Sequence, residues 1–289
     1  MLEVNDRPGL RELLRTWRHS GQKIALVPTM GNLHAGHLAL VEAAAQLADR
    51  VVATIYVNPT QFAAGEDLES YPRTPDSDRE ALRHSGCDLL FEPTGETVYP
   101  QGVENAFRLS APHGLASVLE GESRPGHFDG VVTVVSRLFC LVNPDVAVFG
   151  EKDYQQLLII RRMVDDMGFD IHIHAVPTVR ESTGLALSSR NHYLDPAQHA
   201  AAQNLFAVLQ ETATFGAEAG ADFFCLEEQA GEQLRRLGLE PEYVAIRRAG
   251  DLELPREGDR ELRILAAVRC GTTRLIDNIS LKWVCNHGD

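Results

Sequence analysis

Residues 23–57, KIALVPTMGNLHAGHLALVEAAAQLADRVVATIYV, decide the fold. The run KIALVPT (23–29) is short and apolar and ends at Pro28, which reads as a buried strand. Met30 to Gly36 is a turn with two glycines. From His37 to Asp49, HLALVEAAAQLAD sets Leu and Ala at helical spacing. RVVATIYV (50–57) is a second strand, closed by Asn58 and Pro59. Strand, helix and strand at this spacing make a βαβ unit, with parallel strands and a right-handed crossover.

Outward from this unit the pattern repeats. Residues 77–86 read as a helix and DLLFEP (88–93) as a strand. GVVTVVSRLFCLVN (130–143) suits either, but about 14 residues is long for a strand, so a helix is expected. DVAVFG (145–150) reads as a strand, 152–168 as a helix and DIHIHAVP as a strand. The expected fold is therefore α/β, a doubly wound parallel sheet over residues 1–177. After Pro177 two helical stretches, 196–214 and 221–237, precede strand-like YVAIRRA (243–249), ELRILAAVRC (261–270) and an apolar-alternating end. This predicts a smaller α+β domain over 178–289, with 178–194 as the joint.

The chain has 289 residues, 44% hydrophobic and 24% charged, which is ordinary globular composition. Its net charge of −14, from 41 acids against 27 Lys and Arg, argues against nucleic-acid or membrane-surface partners. A small anionic substrate stays compatible, because a few local cations can dominate a cleft. Five scattered cysteines without a CxxC pair read as reduced thiols. With no apolar leader at MLEVNDRPGL and no run long enough to span a bilayer, a cytoplasmic location is expected.

Three segments carry chemistry. PTMGNLHAGH (28–37) lies between the first strand and the first helix, where ligands of parallel α/β sheets bind. Gly31 and Gly36 permit close backbone approach, and the helix start presents N–H groups and partial positive charge suited to phosphate. His34 and His37, three apart, can face one side of the first turn and donate to phosphate oxygens. Two capping histidines or half a metal site are the bland alternatives, but no third ligand follows at a suitable spacing, and no metal site is expected.

FGEKDYQQL (149–157) ends another parallel strand. Gly150 allows close approach, Lys152 offers a compact cation, and Asp153 suits a helix start or a ribose hydroxyl. Gln155 and Gln156 are consecutive, so at most one lines a given site. Alone, the segment equally fits an amphipathic helix with a polar start. VRESTGLALSSRNHYL (179–194) joins Ser188 and Ser189 to Arg190, a set suited to a triphosphate, with Gly184 allowing movement. In isolation a polar linker explains it as well.

Together these segments resemble the pantothenate synthetase family, a branch of the HIGH-type nucleotidylyltransferases. The resemblance covers nearly the whole chain. It rests on PTMGNLHAGH (28–37), YVNPTQF (56–62), YPRT (71–74), RPGHFDGVVTVV (124–135), FGEKDYQQ (149–156), the 179–194 segment and RLIDNISL (274–281). It implies that ATP and pantoate form a pantoyl-adenylate, which β-alanine then attacks to give pantothenate and AMP.

By the same resemblance Met30, Gly31, Asn32, Leu33, His34, Ala35, Gly36 and His37 hold ATP, with His37 the proton donor. Gly150, Glu151, Lys152, Asp153, Val179, Leu187, Ser188, Ser189 and Arg190 complete that site. His34, His37, Lys152, Ser188, Ser189 and Arg190 act on the phosphates. Gln61 touches pantoate and β-alanine, and Gln156 touches pantoate. Asn58 and Arg124 are second-rank contacts. Mg²⁺ on the triphosphate, a homodimer and a second domain closing as a lid are further expectations.

The family form D-G-L-A-M-S-S-R departs here at Thr183 and Leu187. Neither change removes a phosphate ligand, and Leu is close to Met in volume. Two other readings share the cleft. One is a nucleotidylyltransferase with a phosphorylated acceptor, which calls for more basic residues, and the other is a nucleotide sensor without turnover. His172 and His174 share one strand face, read as solvated. Leu10, Leu13, Leu14 and Trp17 read as core packing, and 227–236 as a solvated helix face. His127 is placed in a loop beside the cleft, with no derivable catalytic role.

Overall fold

The computed structural model describes residues 1–63, 66, 68–69, 71–218 and 220–283. Two compact units emerge: Met1–Glu151 with Gln156–Pro177, and Lys152–Gln155 with Thr178–Asp289. The expected single boundary after Pro177 differs in one respect, because the four residues 152–155 group with the second unit.

In chain order the first unit begins with β1 (Leu2–Val4), α1 (Arg7–His19), β2 (Ile24–Thr29), α2 (Ala35–Leu47), β3 (Arg50–Ile55), α3 (Pro75–His84) and β4 (Leu89–Phe91). Three four-residue helices follow, α4 (Gly95–Val98), α5 (His113–Ala116) and α6 (Glu120–Ser123). Then come α7 (His127–Val142), β5 (Val146–Gly150), α8 (Tyr154–Met167) and β6 (His172–Val176). The six strands form one parallel sheet in the order β1-β4-β3-β2-β5-β6.

Strand β2 is central, and Ile24, Ala25, Leu26 and Val27 are buried on both sheet faces. A continuous apolar run, rather than an alternating one, is what such a strand requires. Ala25, Val27, Val51, Ala53, Leu90 and Val148 pack with Leu40, Val41 and Ala44 of α2 and Leu82 of α3. Helices α1 and α7 pack against each other, with Leu10, Leu14 and Trp17 of α1 buried. Helix α7 carries eleven buried residues, which explains why its sequence reads as apolar all round. It starts after Gly126 (φ +81°) and ends at Asn143 (φ +49°), both left-handed.

Chain order puts β3 on one side of β2 and β5 on the other. The carboxyl ends of β2 and β5 therefore flank the point where winding reverses, the place where open α/β sheets bind ligands. Edge strand β6 carries His172, exposed, and His174, half-buried.

The second unit contains α9 (Pro196–Ala202), α10 (Asn204–Gly216), α11 (Phe223–Arg236), β7 (Glu240–Arg248), β8 (Glu261–Cys270) and β9 (Thr273–Lys282). The expected single helix over 196–214 is broken at Gln203. The strands form an antiparallel sheet, β7-β8-β9. Leu262, Ile264, Ala266 and Val268 of β8 share a core with Leu205, Val208, Leu209 and Leu234. Strand β8 is also buried on its other face, at Arg263, Leu265 and Ala267. Among the described residues no helix is long and apolar enough to cross a membrane. Cys87, Cys140, Cys225 and Cys270 are free thiols, and Cys285 lies outside the described residues.

Candidate active site

The turn after β2 is built by short-range polar bonds. The Thr29 hydroxyl donates to the carbonyl of Thr54 (2.7 Å) and accepts the Gly31 N–H (3.2 Å). Gly31 has φ +85°, and a Cβ there would meet Ile55 and Asp78 at 3.1 and 3.2 Å. Glycine is therefore needed for both conformation and space. Asn32 follows at φ +50°, a region Asn tolerates.

Asp78 of α3, only 2% exposed, fixes this turn from 46 residues away. Its carboxylate accepts the N–H groups of Asn32 (2.9 Å) and Leu33 (2.8 Å) and the Thr74 hydroxyl (3.0 Å). Sequence reading did not find it, because an acid in a first helical turn is ordinary. The expected cost of Asp78→Asn is about 2 kcal/mol, since one buried N–H loses its acceptor. Urea unfolding reads the loss directly. A variant as stable as wild type would remove Asp78 from this role.

Helix α2 begins with its two histidines locked together. His34 is the N-cap and accepts the Gly36 N–H on Nδ1 (3.1 Å), while His37 Nδ1 accepts the His34 N–H (3.3 Å). The rings lie 4.1 Å apart, tilted by 34°. An Nδ1 that accepts carries no hydrogen, so hydrogen-bond geometry assigns the neutral ring hydrogen to Nε2 in both residues. Two N–H donors thus sit on a helix N-terminus that already favours anions.

Gln61 reaches this turn from the carboxyl end of β3. It closes a 3-10 turn, Pro59–Gln61, and its Nε2 contacts Met30 Sδ at 3.0 Å. Asn58, 1% exposed, donates to Gln61 Oε1 (3.2 Å) and to the carbonyl of Gly130 (3.2 Å). Its own Oδ1 accepts the hydroxyls of Tyr99 (2.8 Å) and Thr60 (3.0 Å). Asn58 therefore holds Gln61 in place from within the protein.

His127 is the first residue of α7 rather than a loop residue. Its Nδ1 donates to the Gln61 carbonyl (2.8 Å), and Nε2 accepts from Arg124 Nη1 (3.0 Å). Arg124 also grips Glu66 with two bonds of 2.7 Å. Burial, and then the Arg124 charge, push the His127 pKa down from 6.5 to about 4. Burial pushes Glu66 up, but the Arg124 hydrogen bond and charge outweigh it and leave its carboxyl below the usual range.

A depressed histidine withholds stability at low pH. The unfolded chain takes up this proton below about 6.5, and the folded chain only near 4. Stability is then full above about 6.5 and falls as pH drops through that window. The expected loss is about 2 kcal/mol between about pH 7.5 and 5. Denaturant unfolding of His127→Asn against wild type isolates it, because Asn keeps the donor but does not titrate. Equal pH slopes for the two proteins would refute the assignment.

Gly150 ends β5 and Glu151 opens the following 3-10 turn, Glu151–Asp153. The first unit thus brings together Met30–His37 and Gln61, and sets Gly150 on the neighbouring strand end. Gln156 is half-buried whereas Gln155 is buried, as expected of residues pointing apart.

The second unit carries Lys152, Asp153, Val179 and Leu187–Arg190. Its 178–194 segment is not irregular. Arg180 and Ala186 form an antiparallel bridge, flanked by Leu187 N–H to Val179 O and Glu181 N–H to Leu185 O, each 2.9 Å. Gly184 turns this hairpin at φ +94°, where a Cβ would strike Phe206 at 2.8 Å. The Gly184 N–H to Glu181 O bond (2.9 Å) closes the turn with Thr183 in place. Arg180 stacks on Phe206 and pairs with both oxygens of buried Asp277. Ser188 caps the 3-10 turn Ser189–Tyr193 by accepting the Arg190 N–H (3.2 Å).

Comparison with known proteins fits this arrangement. The family model for pantoate-beta-alanine ligase matches residues 3–280. The chain belongs to the pantoate–β-alanine ligase family. A pantothenate synthetase of Thioalkalivibrio sulfidiphilus is 55% identical, over 96% of this chain and 97% of its own. The crystal structure of pantothenate synthetase from Thermus thermophilus superposes with a TM-score of 0.89 at 44% identity, covering 96% and 99% of the two chains. The pantoate-beta-alanine ligase of Francisella tularensis, solved with β,γ-ATP and β-alanine, gives 0.81 at 33% identity, covering 96% and 97%. The chain is accordingly an enzyme, a carbon–nitrogen ligase of pantothenate biosynthesis, and its α/β architecture with a smaller antiparallel second unit is that of the family.

Proposed function

We propose that this ligase condenses pantoate with β-alanine at the expense of ATP, through a pantoyl-adenylate. The observation that carries this is the His34–His37 pair, both Nε2–H donors on the α2 N-terminus, with Gln61 held against the same turn. The Francisella relative with ATP and β-alanine bound supports the choice of substrates.

In the first step a pantoate carboxylate oxygen attacks the α-phosphorus. The bond from that phosphorus to the bridging oxygen breaks, and pyrophosphate leaves. In the second step the neutral amine of β-alanine attacks the acyl carbon. AMP leaves with the acyl–oxygen bonding pair, and the amine gives up a proton. Transfer of this kind depends on positioning and on charge stabilisation. His34 and His37 donate to phosphate oxygens, and Lys152, Ser188, Ser189 and Arg190 add charge and donors. The main chain of residues 30–37 and 150–153, with Val179 and Leu187, seats the nucleotide. Gln61 and Gln156 orient pantoate, and Gln61 also meets β-alanine. Mg²⁺ enters with the triphosphate as part of the substrate and neutralises its charge.

Pyrophosphate release with MgATP tests the reading, adding pantoate first and β-alanine second. Pantoate-dependent release, with sustained AMP formation only after β-alanine, is expected. Folded, ATP-binding protein that shows no pantoate dependence would overturn it. A homodimer belongs to the same proposal, and light scattering at twice the chain mass is the expected result.

A further inference from the structure

The motif RLIDNISL (274–281) marks the family, yet none of its residues takes a role in the reaction above. In the structure it is β9, and its two central residues point to opposite faces of the sheet, as strand neighbours do. Asp277 turns toward Arg180, and Asn278 turns to the other face, the one that carries Arg263 of β8. Asn278 pairs with Leu265 and Ser280 pairs with Arg263, so Asn278 and Arg263 are diagonal neighbours.

Asn278 is 3% exposed and uses both ends of its amide. Its Oδ1 accepts from Arg263 Nε (2.7 Å), and its Nδ2 donates to the carbonyl of Lys152 (2.9 Å). The Arg263 guanidinium also lies over the Tyr154 ring at 4.1 Å. The Tyr154 hydroxyl donates to the carbonyl of Ala249 (2.9 Å), just after β7. Residues 152–155 are thus bound to the second sheet by their main chain at one end and a side chain at the other. The Ser189–Tyr193 turn, next to Ser188, packs on β9 as well.

The geometry points to Asn278 as the positioning residue for Lys152. A lysine reaches its target through four rotatable carbons, so its ammonium can be placed only if its main chain is fixed. Asn278 supplies that fixed point, and Arg263 holds the amide in the orientation that aims Nδ2 at the carbonyl. Tyr154 braces the same segment two residues on. The proposal rests on the reading of Lys152 as a phosphate-binding cation.

Asn278→Asp is the informative change. It is isosteric and keeps the acceptor for Arg263, but it has no N–H for the Lys152 carbonyl. Misplacing a charged group by about 1 Å costs on the order of a hundredfold in rate. A fall of about tenfold to a hundredfold in kcat/KM for ATP is therefore expected in pantoate-dependent pyrophosphate release. Tyr154→Phe is the neutral companion and keeps the ring under Arg263. A smaller fall, about threefold to tenfold, is expected from it.

The deciding readout is a double-mutant cycle with Lys152→Ala. If Asn278 acts through Lys152, the Asn278→Asp loss shrinks to within about twofold once the ammonium is gone. The Tyr154→Phe loss should shrink in the same way. Losses that multiply undiminished in the Lys152→Ala background, or variants as active as wild type, would overturn the proposal and leave the ATP reading intact. An unimpaired Lys152→Ala enzyme would instead overturn the assignment of Lys152 itself, and the proposal with it. Should Asn278→Asp fail to fold, Tyr154→Phe alone completes the cycle.

Discussion

His37→Ala is expected to lower pantoate-dependent pyrophosphate release by about a thousandfold, while the protein stays folded. The two halves of this expectation come from the two nitrogens of one ring. In the proposed mechanism Nε2–H donates to the phosphate as its charge grows, and removing one preorganised donor of that kind costs on the order of 10²–10³ in kcat. Nδ1 accepts the His34 N–H at the start of α2, and losing a cap of this sort costs about 1 kcal/mol. Helix α2 buries Leu40, Val41 and Ala44 against the sheet, so it survives the loss. Two further substitutions separate the functions. Asn at 37 is short and keeps an acceptor near Nδ1, so it should restore stability but little rate. Gln places an N–H nearer to Nε2, so it should recover more rate than Asn. Wild-type turnover in His37→Ala, with steady-state kinetics under saturating pantoate, would sink the assigned role.

How far the sequence leads is set by the distance between a residue and its partner. The βαβ unit at 23–57 was readable because strand, turn and helix each leave a local period, and β2, α2 and β3 lie where that period puts them. Leu10, Leu14 and Trp17 repeat at helical spacing and form the buried stripe of α1. In contrast, β1 is three residues long and is defined only by pairing with β4, some 87 residues on. Helices α4, α5 and α6 have one turn each, too short to show a period. The break at Gln203 has no Gly or Pro to announce it.

The same limit applies to the site. The histidine pair and Gln61 stand in motifs that can be recognised by eye. Asp78 and His127 support the 30–37 turn and Gln61 from 45 and 66 residues away, and Asn278 bonds Lys152 from 126 away, all through main-chain atoms. A main-chain partner leaves no mark in the sequence, since every residue type carries the same C=O and all but proline the same N–H. In the 179–194 segment the missing signal was different. Its hairpin has a single bridge, Arg180 to Ala186, and Gly184 serves a left-handed turn under Phe206.

Gly130→Ala is expected to be a severely damaging single methyl group against the Gln61 turn, at about 4 kcal/mol of stability or more, beyond the usual cost of overpacking. Two effects oppose each other. In a helix interior Ala is favoured over Gly by about 1 kcal/mol, and residue 130 lies inside α7 with nothing unusual in its backbone. Against this, a Cβ at 130 would sit 2.2 Å from the carbonyl oxygen of Thr60 and 2.6 Å from Gln61 Cα. These are backbone atoms of the 59–61 turn and cannot rotate away, as a flexible side chain would. Helix and turn must part by about an ångström, and overpacking of this severity exceeds the usual cost of about 1–3 kcal/mol. The separation also pulls on the bond from Asn58 to the Gly130 carbonyl and on the bond from His127 to the Gln61 carbonyl. The clash therefore wins, and what remains folded should bind pantoate at least tenfold more weakly, with the affinity for ATP less affected. Urea unfolding and a pantoate titration measure the two losses. An alanine variant more stable than wild type, as helix propensity alone would give, would mean that α7 does not press on the Gln61 turn as described.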